Sequence, residues 1–179
     1  MEIRLATQKE LVNFFPYLND HLSDNGIGNT TLFQPMSKSE SKLTDSMRLR
    51  FSDGINTDLG LPGWRRLWVA IDDNKNVVGH IDIRSHPENH TDHRALLGMG
   101  VDRTTRKQGL GKRLIQSMLE WVSNESSIEY IDLWVLSNNI AAKTLYSRTG
   151  FEKRGEIVDM FRIDDVSLSY TLMSKAVFS

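Results

Sequence analysis

The sequence predicts an α/β domain of the α+β kind, with one central, mixed and mostly antiparallel sheet of about seven strands and about four helices. The segments from Ala95 to Phe151 alternate strand, helix, strand, helix, strand. This order places helices on the faces of a sheet. The chain has 179 residues, of which 39% are hydrophobic, and this suits a single core. We therefore assign residues 1–179 to one domain.

The composition excludes several classes of function. The 22 basic and 23 acidic residues are mixed along the chain, so we expect neither a nucleic-acid partner nor a polybasic membrane patch. The absence of cysteine excludes disulfides, a thiol nucleophile and cysteine-ligated metals. No segment approaches the roughly 18 apolar residues of a membrane span, and Met1–Leu5 lacks the apolar core of a signal peptide. We expect a cytoplasmic protein without a membrane partner.

The N-terminal third is predicted to contain one strand and two helices. Residues Ile3–Ala6 suit a short strand, and Thr7–Glu10 forms a capping box that begins a helix. Pro16 should bend or interrupt that helix, because proline removes an amide donor. A second helix is predicted over Ser39–Phe51, followed by a glycine-rich loop over Ser52–Gly63.

The middle of the chain alternates between strand and helix patterns. Leu67–Ile71 and Val77–Arg84 flank a polar turn and predict a hairpin, and Ala95–Val101 predicts a third strand. The segment from Leu110 to Val122 has apolar residues on one face and charged residues on the other, which predicts an amphipathic helix. Tyr130–Leu136 is the next predicted strand.

A short helix and two strands are predicted to complete the chain. Ser137, Asn138 and Asn139 offer capping side chains for a helix over Ile140–Ser147, and Gly150 suits its left-handed C-terminal cap. The final strands are predicted over Phe151–Ile157 and Val166–Met173.

The segment from Arg106 to Gly111 reads Arg-Lys-Gln-Gly-Leu-Gly and opens the amphipathic helix. Each glycine in a first helical turn costs about 1 kcal/mol relative to alanine, so a specific reason for both is expected. A helix N-terminus binds phosphate groups through its free amides, and glycines allow a diphosphate to come close. The alternative is a tight strand-to-helix turn with a solvated basic face.

Other phosphate motifs do not fit this segment. A P-loop requires a glycine where the chain has Arg106 and a hydroxyl residue where it has Arg113. A dinucleotide fingerprint requires a third glycine at the position of Leu114.

Two segments of the sequence resemble the signatures of the GNAT superfamily of N-acetyltransferases. Val101–Gly111 contains that superfamily's pattern of Arg or Gln, two residues, Gly, one residue, Gly or Ala. Asn139–Tyr146, followed by Gly150 and Phe151, matches its Asn-x-x-Ala-x-x-Leu-Tyr segment and closing Gly-Phe pair. The resemblance implies the GNAT fold, in which splayed strands form a cleft for acetyl-CoA, the co-substrate.

The implied reaction is transfer of an acetyl group from acetyl-CoA to a primary amine, by direct attack within a ternary complex. The acceptor is a small molecule or a peptide or protein N-terminus. In this superfamily a backbone amide before the phosphate loop polarises the thioester carbonyl, which here lies near Met99–Val101. Gly98 and Gly100 flank Met99, and such glycines mark a bulge or close backbone approach, or relieve crowding against a helix.

The resemblance also implies which residues bind the co-substrate and serve as the acid. Tyr146 is the expected general acid for the leaving thiolate, since its ordinary pKa of about 10 suits a thiol. Asn139 is expected to contact the pantetheine arm, to cap the helix, or both. The cofactor-binding set is Met99, Gly100, Val101, Arg106, Lys107, Gln108, Gly109, Leu110, Gly111, Lys112, Asn139, Ala142 and Tyr146.

The general base has two candidates. His80, Asp82 and Arg84 alternate along one strand face, and either His80 or Asp82 could accept the amine proton. The alternative is that this face is solvated or structurally paired. Large aromatic residues elsewhere are candidate walls of the acceptor cleft, although core packing is their commoner role: Phe33, Trp64 and Trp68.

Three further expectations concern metal, catalysis and assembly. A histidine- and acid-rich stretch lacks the rigid spacing of a zinc site, so we expect no metal; it contains His80, Asp82, His86, Glu88, His90, Asp92 and His93. A non-catalytic acyl-CoA-binding module of the same fold is the rival function. The resemblance implies a homodimer, with Val166–Met173 as the edge to inspect.

Overall fold

The computed structural model describes residues 1–28 and 30–177, within which the chain forms seven strands and four helices. The strands are β1 (Glu2–Leu5), β2 (Arg65–Ile71), β3 (Val77–Arg84), β4 (Arg94–Val101), β5 (Tyr130–Leu136), β6 (Glu152–Ile163) and β7 (Val166–Ala176). The helices are α1 (Leu11–Ser23), α2 (Asp45–Gly54), α3 (Leu110–Glu125) and α4 (Ile140–Arg148).

All seven strands form one sheet in the order β1-β2-β3-β4-β5-β7-β6. Every neighbouring pair is antiparallel except β4 and β5, which confirms the predicted mixed, mostly antiparallel sheet. β7 lies inside the sheet, between β5 and β6. The expectation that Val166–Met173 forms an edge is therefore wrong, and the edge strand on this side is β6.

Two hydrophobic clusters cover the two faces of the sheet. One face packs against α3 and α4, and its largest fully buried side chains include Ile81, Ile83, Leu114, Ile115 and Met118. The other face packs against α1 and α2 around Phe14, Leu67 and Val69. Trp64 and Trp68 belong to the α3 cluster, so they are core residues and not cleft walls.

Two helix predictions near the N-terminus need correction. α1 runs uninterrupted through Pro16, because Pro16 and Val12 are exposed and water can hydrate the carbonyl that proline leaves unbonded. The predicted helix over Ser39–Phe51 begins later, at Asp45, where the Thr44 hydroxyl accepts the Met47 amide (3.2 Å). The preceding residues instead close a turn of their own, in which the Ser37 hydroxyl donates to the Glu40 carboxylate (2.6 Å). Within the described residues, no helix has the length and apolar character to cross a membrane.

The parallel strands β4 and β5 separate after three residue pairs. Arg94, Ala95 and Leu96 pair with Tyr130, Ile131 and Asp132. Beyond Leu96, β4 continues to Val101 with only β3 beside it, and β5 continues to Leu136 with only β7 beside it. The result is a gap in the middle of the sheet, hereafter the β4–β5 gap. At its closed end, Arg94 donates two hydrogen bonds to the Asp132 carboxylate (2.7 and 2.6 Å).

Candidate active site

Backbone groups of β4 line one side of the β4–β5 gap. The Asp102 amide donates to the Val78 carbonyl (3.0 Å), which makes Asp102 and Val78 a hydrogen-bonded antiparallel pair. Such pairs alternate along the ladder, so the backbone groups of Gly100 turn toward β3 and those of Met99 and Val101 turn toward the gap. In agreement, the Val101 carbonyl accepts a hydrogen bond from Arg106 Nε (3.1 Å) and not from β3.

The same alternation applies to β5 across the gap. The Ser137 amide donates to the Ser169 carbonyl (2.9 Å) in the β5–β7 ladder. The backbone groups of Trp134 and Leu136 therefore point toward β4. Two rows of sheet-edge amides and carbonyls face each other here, and an extended chain that carries amide groups can bond to both. The pantetheine arm of coenzyme A is such a chain.

The gap opens onto the N-terminus of α3. Gly109 is the N-cap residue and adopts a left-handed conformation (φ 82°), and Lys107 does so as well (φ 62°). The amides of the first helical turn lack intrahelical acceptors, and the side chains of Lys107, Lys112 and Arg113 are exposed around them. Free amides, the helix dipole and three cations at one point are suited to a diphosphate.

The two glycines of this loop are needed for different physical reasons. Gly109 is required by its positive φ, while a Cβ atom there would meet no other atom within 4 Å. A Cβ at Gly111 would lie 2.8 Å from Cδ2 of Leu145, so this glycine allows α3 to pack against α4. Leu110 anchors the turn in the α3 core, and the exposed Gln108 side chain donates to the Thr104 carbonyl (3.0 Å).

Arg106 connects the phosphate loop to α1. Its guanidinium donates to the Asp24 carboxylate (2.7 Å), just beyond the end of α1. The neighbouring Arg103 makes a second bridge, to Asp20 on α1 (3.1 Å). The charge of Arg106 is thus directed toward α1, and Lys107 and Lys112 carry the exposed positive charge of the loop.

The second predicted motif lies across the gap, on α4. The Asn139 side chain accepts the Ala142 amide (3.1 Å) and caps the helix, which is one of its two expected roles. Tyr146 is buried, with 8% of its surface exposed, and its ring packs against Phe151 at 5.7 Å between centroids. Burial raises the pKa of Tyr146 above its usual value, so the phenol keeps its proton at neutral pH.

The two candidate bases lie on the opposite face of the sheet, below α1. Asp82 is buried in an ion-pair cluster with Arg65 (3.2 Å) and Arg84 (3.3 Å). Nδ1 of His80 lies 3.1 Å from the Tyr17 hydroxyl. Burial is the main cause that lowers the pKa of His80 to about 3, with the neighbouring His21 as a further cause.

His80 and Asp82 also explain the glycines of β4. A Cβ at Gly98 would lie 2.8 Å from Oδ1 of Asp82, and one at Gly100 would lie 2.8 Å from Cε1 of His80. The β3–β4 register contains no shift from Gly79 to Arg84, so the expected bulge is absent. The glycines relieve crowding by side chains that cover this face.

His21 is the main residue of this cluster that the sequence analysis missed. A Cβ at Gly100 would lie 2.5 Å from its Nε2, its ring lies 4.6 Å from that of Phe33, and its Nδ1 is buried without a hydrogen-bond partner within the described residues. Burial, followed by the charge of Arg106, lowers its pKa to about 4. The signal in the sequence is a histidine within the apolar stripe of α1, three residues after Leu18.

The segment between α1 and α2, here called the strap (residues 24–28 and 30–44), runs from the end of α1 toward the β6–β7 turn. Asn25 is completely buried; its Oδ1 accepts the amides of Phe33 (2.8 Å) and Gln34 (3.0 Å). At its far end, the Lys38 amide donates to Asp164 in the β6–β7 turn (3.2 Å). Asn29 lies outside the described residues.

The histidine-rich stretch is divided between different contacts. His86 contacts Asp132 through Nε2 (3.0 Å) and Glu88 through Nδ1 (3.3 Å), whereas His80 lies in the α1 cluster. Across residues 1–28 and 30–177, no three histidine and acidic side chains form a group that could hold a metal ion.

A split sheet that leads to a helix N-terminus can hold an extended carrier that ends in a diphosphate. Residues 34–151 match the Acetyltransferase (GNAT) family, and the chain belongs to that family. An acetyltransferase of the GNAT family from Streptococcus pneumoniae shares the fold with a TM-score of 0.80 and 20% identity, over 99% of each chain. A ribosomal-protein-alanine N-acetyltransferase from Brucella melitensis does so with a TM-score of 0.78 and 20% identity, over 98% of this chain and 99% of that one.

Two curated proteins are similar to parts of the chain. The L-amino acid N-acetyltransferase AaaT of Escherichia coli is 32% identical over 94 residues, which are 52% of this chain and 57% of that protein. The catalytic subunit of an N-terminal acetyltransferase A complex from Arabidopsis thaliana is 32% identical over 83 residues, 46% of this chain and 43% of that protein. The chain thus spans about half the length of the curated relatives it matches.

Proposed function

We propose that this protein transfers an acetyl group from acetyl-CoA to a primary amine by direct attack within a ternary complex. The observation that carries the proposal is the β4–β5 gap, whose two rows of free backbone groups lead to the left-handed N-cap Gly109 of α3. A pantetheine arm fits between the strands, and a diphosphate fits the α3 amides with Lys107 and Lys112 beside them.

The amides of Met99 and Val101 are proposed to polarise the thioester carbonyl. Both point into the gap, and a donor fixed in a strand needs no reorganisation when negative charge develops on the carbonyl oxygen. The Val101 carbonyl is occupied by Arg106, so this segment presents donors more than acceptors. The acceptor amine then approaches from the face that carries α1, His80 and the strap.

Tyr146 is proposed to return a proton to the departing thiolate. It lies on α4, which packs against the start of α3 through Leu145 and Gly111. Its raised pKa keeps it protonated at neutral pH, so it has a proton to donate as negative charge develops on the leaving sulfur.

The two candidate bases remain His80 and Asp82, and their surroundings favour His80. Asp82 is paired with two guanidinium groups, so its carboxylate is already occupied. His80 is neutral, because its pKa is about 3, and only Nδ1 is engaged within the described residues. We therefore propose His80 as the group that accepts the amine proton, directly or through water.

The acceptor class and the assembly are also proposed. The relatives named above act, by their names, on L-amino acids and on protein N-termini, and both are primary amines. The edge strand β6 exposes Ile157, Val158 and Met160, which supports a homodimer through β6. Gel filtration with light scattering would show a single-chain mass if that assembly does not form.

Titration calorimetry and a thiol-release assay test the central proposal together. Acetyl-CoA should bind with a 1:1 stoichiometry, and a panel of amino acids, peptides and polyamines should release free thiol in proportion to acetylated product. Binding without amine-dependent release would identify a non-catalytic acyl-CoA module. Absence of binding would contradict the proposed function altogether.

A further inference from the structure

The acceptor face of the sheet carries an unbalanced positive charge. Arg65, Asp82 and Arg84 form one cluster of two guanidinium groups around one carboxylate. Arg65 is buried, pairs with Asp82 (3.2 Å), and stacks on the ring of Phe51 at 3.9 Å. The charge of Asp82 is therefore already balanced by the buried guanidinium of Arg65. The charge of Arg84 is then left without a carboxylate of its own.

Arg84 is directed toward the β4–β5 gap. Its side chain is 36% exposed and has a single contact with Asp82, at 3.3 Å. A Cβ at Gly98 would lie 3.1 Å from its Nη1, so the guanidinium lies directly beside the β4 backbone that precedes Met99. Within the described residues, Asp82 is the only acidic side chain in ion-pair distance of Arg84.

The neighbouring groups do not neutralise this charge. His21 and His80 are the other titratable side chains against Gly100, and both stay neutral. Across the gap, Trp134 stacks on Tyr170 with 5.1 Å between ring centroids, and Phe161 meets Tyr170 at 5.0 Å. Burial raises the pKa of Tyr170, and the charge of Arg84 opposes that rise. A cation thus faces an apolar, aromatic wall on the same side of the sheet.

From this arrangement we infer that the acceptor is a free α-amino acid whose carboxylate binds to Arg84. The inference rests on the transferase function proposed above and names its acceptor. A guanidinium matches a carboxylate in charge and geometry. With the carboxylate on Arg84 beside Gly98, the adjacent α-amino group lies one bond further toward Met99, where the thioester carbonyl is placed. The Trp134–Tyr170 wall then receives an apolar side chain. Binding of a polyamine is disfavoured, because its ammonium groups would repel the positively charged Arg84 side chain.

Acceptors that share one side chain test this inference, with rates compared per unprotonated amine because amidation lowers the pKa of the α-amino group. The kcat/KM of L-leucine and L-phenylalanine is compared with that of their amides, of a short peptide that begins with the same residue, and of spermidine. The free amino acids should exceed the amides by about 10- to 100-fold, the usual effect of one charge-assisted hydrogen bond. Arg84→Gln should remove most of this preference by lowering only the values for the free acids, while Arg84→Lys should restore part of it.

Three observations separate the outcomes. Arg154→Gln, which removes an exposed arginine of β6, should leave the preference unchanged, and acetyl-CoA affinity of Arg84→Gln should equal that of the unaltered protein. Equal or faster acetylation of the amides, the peptide or spermidine would overturn the inference and leave the transferase function standing. Absence of acetyl transfer to every amine in the panel would overturn both.

Discussion

The two halves of the proposed active site are built from different parts of the chain and different chemistry. The co-substrate half consists of β4, the loop to α3, β5 and α4, and it presents backbone amides and a helix N-terminus. The acceptor half consists of α1, the strap and the outer face of β3, and it presents side chains such as His21, His80 and Arg84. Backbone chemistry requires glycines at fixed spacing, whereas a side-chain pocket can be made from many residues.

This difference predicts which quantity a substitution in each half should change. Changes in the co-substrate half should alter acetyl-CoA affinity or the chemical step. Changes in the acceptor half should alter the acceptor KM and the stability of the strap, and leave acetyl-CoA binding intact. The Arg106–Asp24 ion pair joins the two halves, so a substitution at either residue should affect both.

The largest effect is expected for Tyr146→Phe, which keeps the buried ring and removes the proton donor. The value of kcat should fall by about 100-fold, the lower range for a general acid, while the acetyl-CoA dissociation constant changes less than about twofold. Steady-state kinetics and calorimetry measure the two quantities. Thr144→Val removes an exposed hydroxyl from the same helix and should have no effect. An unchanged kcat for Tyr146→Phe would remove the assigned role.

Asn25→Ala should be the most destabilising change in the acceptor half. It leaves the partly buried amides of Phe33 and Gln34 without their acceptor, at an expected loss of about 3 kcal/mol in the free energy of unfolding. The acceptor KM should rise as the strap loosens. Urea unfolding and kinetics test this, with the exposed Asn13→Ala on α1 as control. A matching loss of acetyl-CoA affinity would show that the halves are not separable.

Acid should destabilise the acceptor half through its buried histidines. The pKa of His21 is about 4 and that of His80 about 3, both below the value of about 6.5 in an unfolded chain. Above pH 6.5 both states are neutral and stability is unaffected. Below it the unfolded chain takes up protons that the folded chain does not, so the free energy of unfolding should fall by about 1.4 kcal/mol per pH unit for each histidine.

Urea unfolding at several pH values between 6.5 and 5 measures this slope. His21→Leu should reduce the slope by the contribution of one histidine, while Asn13→Ala, which removes an exposed and non-titratable side chain, should leave it unchanged. An identical slope for His21→Leu would mean that His21 is protonated in the folded protein.

The smallest effect is expected for Gly109→Ala in the co-substrate half. A residue with a Cβ loses about 1 to 2 kcal/mol in a left-handed conformation, which should lower stability and raise the acetyl-CoA dissociation constant several-fold. Gly109→Asn should lose less, since asparagine tolerates this conformation. Equal effects of alanine and asparagine would show that the N-cap is not held at φ 82°.

The predictions from sequence were correct where neighbouring residues determine the structure. The bounds of β3 and β5 and the cap of α4 by Asn139 were predicted, because alternation and capping depend on neighbouring residues. The interruption at Pro16 and the early start of α2 were wrong, since solvent around Val12 and the separate turn at Ser37–Glu40 are properties of the folded surroundings. The prediction that Val166–Met173 forms an edge of the sheet was also wrong. The order of the strands depends on pairing across the whole sheet, which neighbouring residues do not determine.

By itself the sequence predicted the fold class and the co-substrate half of the proposed site. The strand before the loop, the glycines at 109 and 111 and the Asn139–Tyr146 segment all lie within residues 94–146, and each would act through its local backbone. Only the tertiary structure decided the acceptor half. Gly100 meets His21 across 79 positions of sequence and Arg106 meets Asp24 across 82, and packing alone brings such pairs together. The unbalanced charge of Arg84 is also a tertiary feature, because it depends on the neutralisation of Asp82 by Arg65 on the neighbouring strand.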